Sequence, residues 1–468
     1  MYNLDYIIMI TQKFVDRQEE LKILRDAFRK GALVIVYGRR RVGKTRLLIE
    51  ASKEFRTLYH LCKEEEVSET LKSLNSKLFS LTKDETLLKH PITSFEEFFE
   101  RLPEDTVIIF DEFQILAKNY PRILGVLQEY WDFRRKGSLV LCGSSVSMME
   151  ELTSYGSPIY GRRTLSLKVS PLKFIHVREF FPSYSMEDVV KVYGAVGGIP
   201  EYLLRFDIPL PPEENIREGF FNRGFLYDEA EYLLRYELRD LSTYNTILEA
   251  ISYGYRSFNE LKTITGIDGS KLTRYISILM NLDIVGKEFP VTVKPKKRRK
   301  NSRYFIRDNY FAFYYTFVYP FKEEIELGIP EVAVENFERN FNHYLGWVFE
   351  GIAKEFLVEL NKAGKLPFRF TKIGKWWHKG EEIDLVALNE RERKALFVEV
   401  KWKDLKNREA KGILKDLEKK SELVGLEGWE KFYGLIIKSI ERKEELIREG
   451  YLVWSLEDFK RLKEVEKL

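Results

Sequence analysis

A chain of 468 residues with 44% apolar and 14% aromatic content is too long for one core and too apolar to be disordered, so about three domains are expected. Its net charge of +4 is small for this size, so any affinity for nucleic acid must come from local clustering. Two cysteines, Cys62 and Cys142, exclude a disulfide scaffold and a zinc-finger spacing. With no apolar run of membrane-span length and no basic leader, they suit a cytoplasmic, reducing environment without membrane contact.

In chain order, Phe14, Val15, Asp16 and Arg17 precede a helical pattern at Leu21, Leu24 and Phe28. A helix in that place either lines the base side of a nucleotide pocket or only packs. Leu33 to Tyr37 reads as a buried strand. It runs into Gly38-Arg39-Arg40-Arg41-Val42-Gly43-Lys44-Thr45, a complete GxxxxGK[ST] phosphate-binding loop. The glycines let successive N–H groups turn toward phosphate oxygens. Lys44 can reach the β- and γ-phosphates, and Thr45 offers a hydroxyl to Mg²⁺. A helix opening at Lys44, with Arg46 in its first turn, directs its dipole at the same anion. This is a candidate ATP site.

A second strand, Thr106 to Phe110, ends in Asp111-Glu112. At the carboxyl edge of a sheet, Asp111 is placed to hold the Mg²⁺ shell and Glu112 to orient or deprotonate water. A third strand ends in Cys142-Gly143-Ser144-Ser145. Ser144 there can sense the γ-phosphate or cap the following helix. Beyond it, Ser157-Pro158-Ile159-Tyr160-Gly161-Arg162-Arg163 carries arginines for a transition state, in cis or across a homo-oligomer boundary, with Arg162 favoured over Arg163. Solvated surface arginines are the plain alternative.

These motifs, together with Gly197-Gly198-Ile199-Pro200-Glu201-Tyr202, resemble the archaeal ATPase family, a branch of the AAA+-like signal-transduction P-loop ATPases, over residues 12 to 240. The resemblance implies a helical lid that carries the glycine–proline motif. It places Pro200 near the adenine and Phe14, Val15 and Arg17 on the opposite wall.

Residues 244 to 308 read as a winged helix: helices from Tyr244 to Ser252, Ser257 to Thr265 and Ser270 to Leu282, then a two-stranded wing. The wing tip, 294–303, carries Lys294, Lys296, Lys297, Arg298, Arg299, Lys300 and Arg303 without an acid. Seven like charges in ten residues either stand in solvent or meet phosphates, with DNA favoured as partner. The aromatic run 310–321 reads as a buried helix. The polar stretch from Glu323 to Asn342 reads as a hinge.

From about His343 a last domain has its own chemistry. A helix carries Glu350; then come Asp384 in a strand and Glu399-Val400-Lys401 in an otherwise apolar strand. Side chains at i and i+2 share a face, so Glu399 and Lys401 can join Asp384 about a Mg²⁺ or Mn²⁺ ion, with Lys401 steadying the developing charge. This pattern looks like the PD-(D/E)xK restriction-endonuclease-like fold, and the segment resembles the C-terminal domain that archaeal ATPases of this kind carry. Expected ligands are Thr45 and Asp111 in the first site, and Glu350, Asp384 and Glu399 in the second.

The fold class expected is therefore α/β. A P-loop core (1–185) is followed by a lid (186–243), a winged helix (244–308), an aromatic helix and linker (309–342) and a nuclease-like domain (343–468). The function expected is an ATP-hydrolysing switch coupled to nucleic-acid binding and a metal-dependent nuclease centre. The alternative is an ATP-driven scaffold whose C-terminal fold binds a protein partner and cuts nothing.

Overall fold

Short apolar runs bounded by charged or small residues become the three central strands of a parallel sheet, buried on both faces, with more exposed strands at its two edges. β1 (Leu33–Tyr37), β2 (Thr57–Leu61), β3 (Thr106–Asp111), β4 (Gly137–Gly143) and β5 (Leu165–Lys168) form one sheet in the order β2-β3-β4-β1-β5, parallel throughout. β3 is buried along its whole length. The charged segment between β2 and β3 folds as helices Val67–Thr82 and Phe95–Glu100. Their apolar faces, with Leu74, Leu78, Phe98 and Phe99, close over Phe110 and Phe113. Helices Gln18–Arg29 and Lys44–Ser52 pack on each other, the first also against β4 and the second against β3.

The computed structural model describes residues 14–152, 154–238, 240–294 and 301–461. The chain divides into two compact units. One runs to Leu172 and includes Ile199–Glu201; the other comprises Lys173–Gly198 and Tyr202 onward. Among the described residues no helix is long and apolar enough to cross a membrane.

In the second unit, Ser185 and Asp188 close a capping box at the start of helix Met186–Val196. Three further helices, Leu241–Ser252, Phe258–Thr265 and Gly269–Asn281, are capped by Asp240, Ser257 and Asp268. They lead into the antiparallel ribbon β6 (Val285–Glu288) and β7 (Arg303–Ile306). Both arms are short. Beyond β6, Val291 donates its N–H to the Lys375 carbonyl at 2.9 Å instead of continuing to pair with β7. Of the basic tip, Lys294 and Arg303 are described; Lys296, Lys297, Arg298, Arg299 and Lys300 lie outside the described residues.

The aromatic run is helical and buried, with Tyr310, Phe311, Phe313 and Phe317 out of solvent. The hinge expected between Glu323 and Asn342 is corrected by the structure. Helix Lys322–Leu327, a break at Gly328 (φ 79°) and the 32-residue helix Glu331–Lys362 fill that stretch. In the longer helix the apolar residues Ala333, Phe337 and Phe341 recur every four positions. That spacing puts them on one face, and composition alone concealed it. Phe313 sits at the centre of the resulting cluster, with ring centroids 4.7 Å from Phe220, 5.8 Å from Phe337 and 5.9 Å from Phe341. Phe313→Ala is expected to cost about 3–5 kcal/mol. The loss is read as a lower urea midpoint of the transition that the buried tyrosines report.

The last sheet has the order β12-β11-β10-β9-β8. β8 (Lys372–His378), β9 (Glu381–Asn389) and β10 (Lys394–Leu405) form an antiparallel meander. β11 (Glu430–Ile440) and β12 (Leu452–Ser455) continue it in parallel. Helix Asn407–Glu422 packs through Ala410, Leu414 and Leu417.

Candidate functional site

Gly38 ends β1 at φ 152°, and any side chain there would collide with the Val169 carbonyl. Gly43 holds φ 91°, a left-handed conformation that glycine adopts without strain. Between them the loop curls around its own lysine: Lys44 Nζ donates to the Gly38 carbonyl at 2.8 Å and the Arg39 carbonyl at 3.0 Å. An ammonium held only by neutral carbonyls keeps its charge for an anion, which fits a phosphate ligand. Val42 is buried beneath the loop. Arg46 packs its guanidinium over the Phe14 ring at 6.0 Å and pairs with Glu50 at 3.8 Å.

β4 separates β1 from β3, yet the ends of those two strands meet. Thr45 Oγ1 donates to Asp111 Oδ2 at 2.6 Å, and Tyr59 from β2 donates its hydroxyl to the same oxygen at 2.9 Å. The Glu112 N–H donates to Asp111 Oδ1 at 3.0 Å. A hydroxyl and a carboxylate presented together suit a Mg²⁺ ion, a hard cation that takes few protein oxygens and keeps waters. Glu112 stands at φ 53°, which turns its side chain along the sheet edge. There its Oε2 accepts from Ser144 Oγ at 2.5 Å and from Gln114 Nε2. Ser144 thus holds Glu112. Cys142 is fully buried beside Asp111, and burial pushes its thiol well above the ordinary range. It stays protonated and inert.

The supporting residues have other partners. Arg17 is buried and donates to the carbonyls of Val42 at 3.3 Å and Ser170 at 2.6 Å. It therefore braces the phosphate loop from beneath, with Val15 buried next to it in sequence. Pro200 lies against the loop, 3.8 Å from where a side chain on Gly43 would begin. Arg41 meets Glu201 at 3.9 Å. Arg162 grips Asp132 through Nε at 2.9 Å and Nη2 at 2.7 Å, and Nη1 donates to the Pro158 carbonyl. Any contact with phosphate requires it to release Asp132. Arg163 lines an open cavity with Tyr37, Tyr160 and Ser166.

The C-terminal set also assembles. Val398 of β10 faces Leu385 of β9, so one step on Glu399 comes opposite Asp384. Lys401 Nζ lies 3.1 Å from Asp384 Oδ2 and 2.6 Å from Glu399 Oε2. The Val400 N–H donates to Asp384 Oδ2 at 2.8 Å. A second cation, Lys420, reaches Glu399 Oε1 at 3.5 Å. Burial raises the Glu399 carboxyl above its usual range and Asp384 adds to the rise, while Lys401 and Lys420 oppose it. Burial would lower Lys401, but Asp384 and Glu399 outweigh it and hold the ammonium at about 12. Glu350 does not join the two carboxylates. It bonds Lys375 Nζ, and burial raises its carboxyl. Among the described residues no group of three or more metal-binding side chains is present. The cation between Asp384 and Glu399 is Lys401 itself.

Sequence reasoning missed Tyr59, Gln114, Lys420 and the link to the ribbon. In that link, Arg303 of β7 donates to Glu382 Oε2 at 2.8 Å and lies over the Trp377 ring at 4.3 Å. Gln114 was in plain view two residues after Glu112. Alternation in the strand Thr57–Leu61 would have put Tyr59 on one face, but not which face.

A family model described as an ATPase domain predominantly from Archaea matches residues 14–206. A second, described as archaeal and bacterial proteins of unknown function, matches residues 314–413. An uncharacterized protein of Methanocaldococcus jannaschii is 42% identical over 454 residues, 95% of this chain and 100% of that protein. Among solved structures, the Walker-type ATPase PABY2304 of Pyrococcus abyssi superposes with a TM-score of 0.50 at 21% identity, over 64% of this chain and 96% of that one; at that identity it speaks for the fold alone. The ORC2 protein of Aeropyrum pernix, in ADPNP–ADP complexes, gives 0.43 at 12% identity over 70% and 98%. The parallel sheet with its phosphate loop, the matched ATPase domain and the full-length likeness to the Methanocaldococcus protein agree: the chain belongs to the archaeal ATPase family.

Proposed function

We propose that the protein is an ATP-hydrolysing switch whose second unit binds nucleic acid and carries a metal-dependent nuclease centre. The observation that carries the first half is the pairing of Thr45 with Asp111 at 2.6 Å, directly beside Glu112 at the open end of the sheet. Thr45 and Asp111 would hold Mg²⁺, and Lys44 with the loop N–H groups would bind the β- and γ-phosphates. Bound Mg²⁺ supplies positive charge to the phosphate oxygens. Glu112 draws the proton from the attacking water once it leaves Ser144 and Gln114. Pro200, Phe14 and Val15 would flank the base.

Helices Leu241–Ser252, Phe258–Thr265 and Gly269–Asn281 with ribbon β6–β7 follow the order of a winged helix. Glu382 and Asp384 are two apart on β9, so the ribbon's Arg303 joins the sheet face that holds Asp384, Glu399 and Lys401. Nucleic acid held by the ribbon would pass over that face. A meander continued by parallel strands, with D and ExK on adjacent strands, supports the restriction-endonuclease-like reading. Replacing Lys296, Lys297, Arg298 and Arg299 by Ser is expected to weaken DNA binding. It should also reduce the slope of log affinity against log salt by roughly 0.9 for each phosphate that the protein ceases to neutralise. Titrations at three salt concentrations, each with ATP and with ADP, measure this; an unchanged slope would assign the tip to solvent.

One observation favours a second reading, a protein-binding scaffold. Lys401 and Lys420 already neutralise Asp384 and Glu399, so the cluster is complete without a metal.

A further inference from the structure

The second unit contains a cavity of about 300 Å³ that serves neither candidate site. Its walls come from the end of helix Leu241–Ser252 and the turn after it, from β7, from the aromatic run and from the middle of helix Glu331–Lys362. Phe305, Phe317, Tyr344 and Trp347 supply ring surface. The Tyr344 hydroxyl donates to the Gly194 carbonyl at 2.9 Å, so only its ring is left for a ligand. Ser252, Thr316 and Asn340 line the space too but are bonded within the fold, which leaves three further polar side chains there: Arg256, His343 and Trp347. Among the described residues, none of the three has a hydrogen-bond or ion-pair partner. Three other arginines of this unit are engaged: Arg217 with Glu338, Arg303 with Glu382 and Arg307 with Asp283.

Aromatic walls with a few unspent donors are the usual make-up of a small-molecule site, and this volume lies at the low end of such sites. It admits one planar ring system and one compact anionic group. A guanidinium matches the paired oxygens of a phosphate, and a second donor from another element brackets the same anion. We infer that this cavity binds a nucleoside monophosphate, its base against Trp347 and Phe305 and its phosphate between Arg256 and His343. Two sources share that chemistry: a free mononucleotide, or the 5′-phosphorylated end of a strand. Occupancy would act on the ribbon, because the Arg256 carbonyl accepts from the Tyr304 N–H at 2.7 Å and Phe305 follows in β7.

The test uses the full chain carrying Lys44→Ala, which removes the anion-binding lysine of the phosphate loop. Calorimetric titrations employ AMP, GMP, CMP and UMP, a pentanucleotide with and without a 5′-phosphate, and benzoate as a flat carboxylate. Saturable one-to-one binding of a monophosphate, weakened at least tenfold by adding Arg256→Ala or Trp347→Ala, is the expected result. His343→Ala, at an exposed position, repeats the test where Trp347→Ala lowers the melting temperature. Binding only of the 5′-phosphorylated pentanucleotide, with the same sensitivity, supports the strand-end source. The inference is overturned by no saturable binding at millimolar ligand, by affinities indifferent to these variants, or by benzoate binding as well as the nucleotides.

Discussion

Glu112→Gln is expected to leave ATP bound and to slow its hydrolysis on the order of 10²–10⁴-fold, the usual contribution of a positioned general base. The amide keeps the size of the carboxylate and its place beside Ser144 and Gln114, but it cannot take a proton from water. Lys44→Ala should instead weaken nucleotide binding, since it removes the ammonium that the Gly38 and Arg39 carbonyls hold inside the loop. Chelating Mg²⁺ with EDTA should abolish turnover in the parent, because Thr45 and Asp111 would have no cation to hold. Filter-retained ATP and released phosphate, measured side by side, separate these outcomes. Equal turnover by the parent and Glu112→Gln would remove Glu112 from the mechanism.

Asp384→Asn and Lys401→Ala are expected to abolish metal-dependent cleavage of labelled DNA or RNA in Mn²⁺, the lysine variant by about 10²–10³-fold, the scale of removing one charge-stabilising donor. The asparagine can still accept the Val400 N–H, so loss of activity there reports charge and not collapse of the sheet. A metal entering between Asp384 and Glu399 must displace Lys401 from its position 2.6 Å from Glu399. Lys401→Ala should therefore bind Mn²⁺ more tightly than the parent while cleaving less, a pairing that a merely structural lysine would not produce. If neither cleavage nor calorimetric metal binding occurs in the parent, the C-terminal fold is a protein-interaction module.

The placement of the candidate residues was legible wherever a motif coincided with a strand. Gly38, Asp111 and Ser144 each follow an apolar run, and the runs became β1, β3 and β4. Glu399 and Lys401 share a face because strand periodicity is two. What the sequence withheld was partnership across elements. Nothing local says that Ser144 bonds Glu112, that Arg162 is committed to Asp132, or that Glu350 prefers Lys375 to the other carboxylates. Each of those pairings depends on sheet order and helix placement. The stretch from Glu323 to Asn342 misled for a different reason. Its polar residues face outward on a helix whose buried side shows only one aromatic every four positions, so counting charges without phase suggested a hinge.

The bond from the Val291 N–H to the Lys375 carbonyl also bears on how the edge of the last sheet is covered. β8 ends the order β12-β11-β10-β9-β8, and a bare end strand is a template on which a second chain can add its own. The arm leaving β6 occupies part of that template, with Val291 packed on the cluster around Trp376. Any movement that lifts the ribbon would free the Lys375 carbonyl and uncover that part of the β8 edge, so the ribbon's position sets how much of this edge is open to pairing.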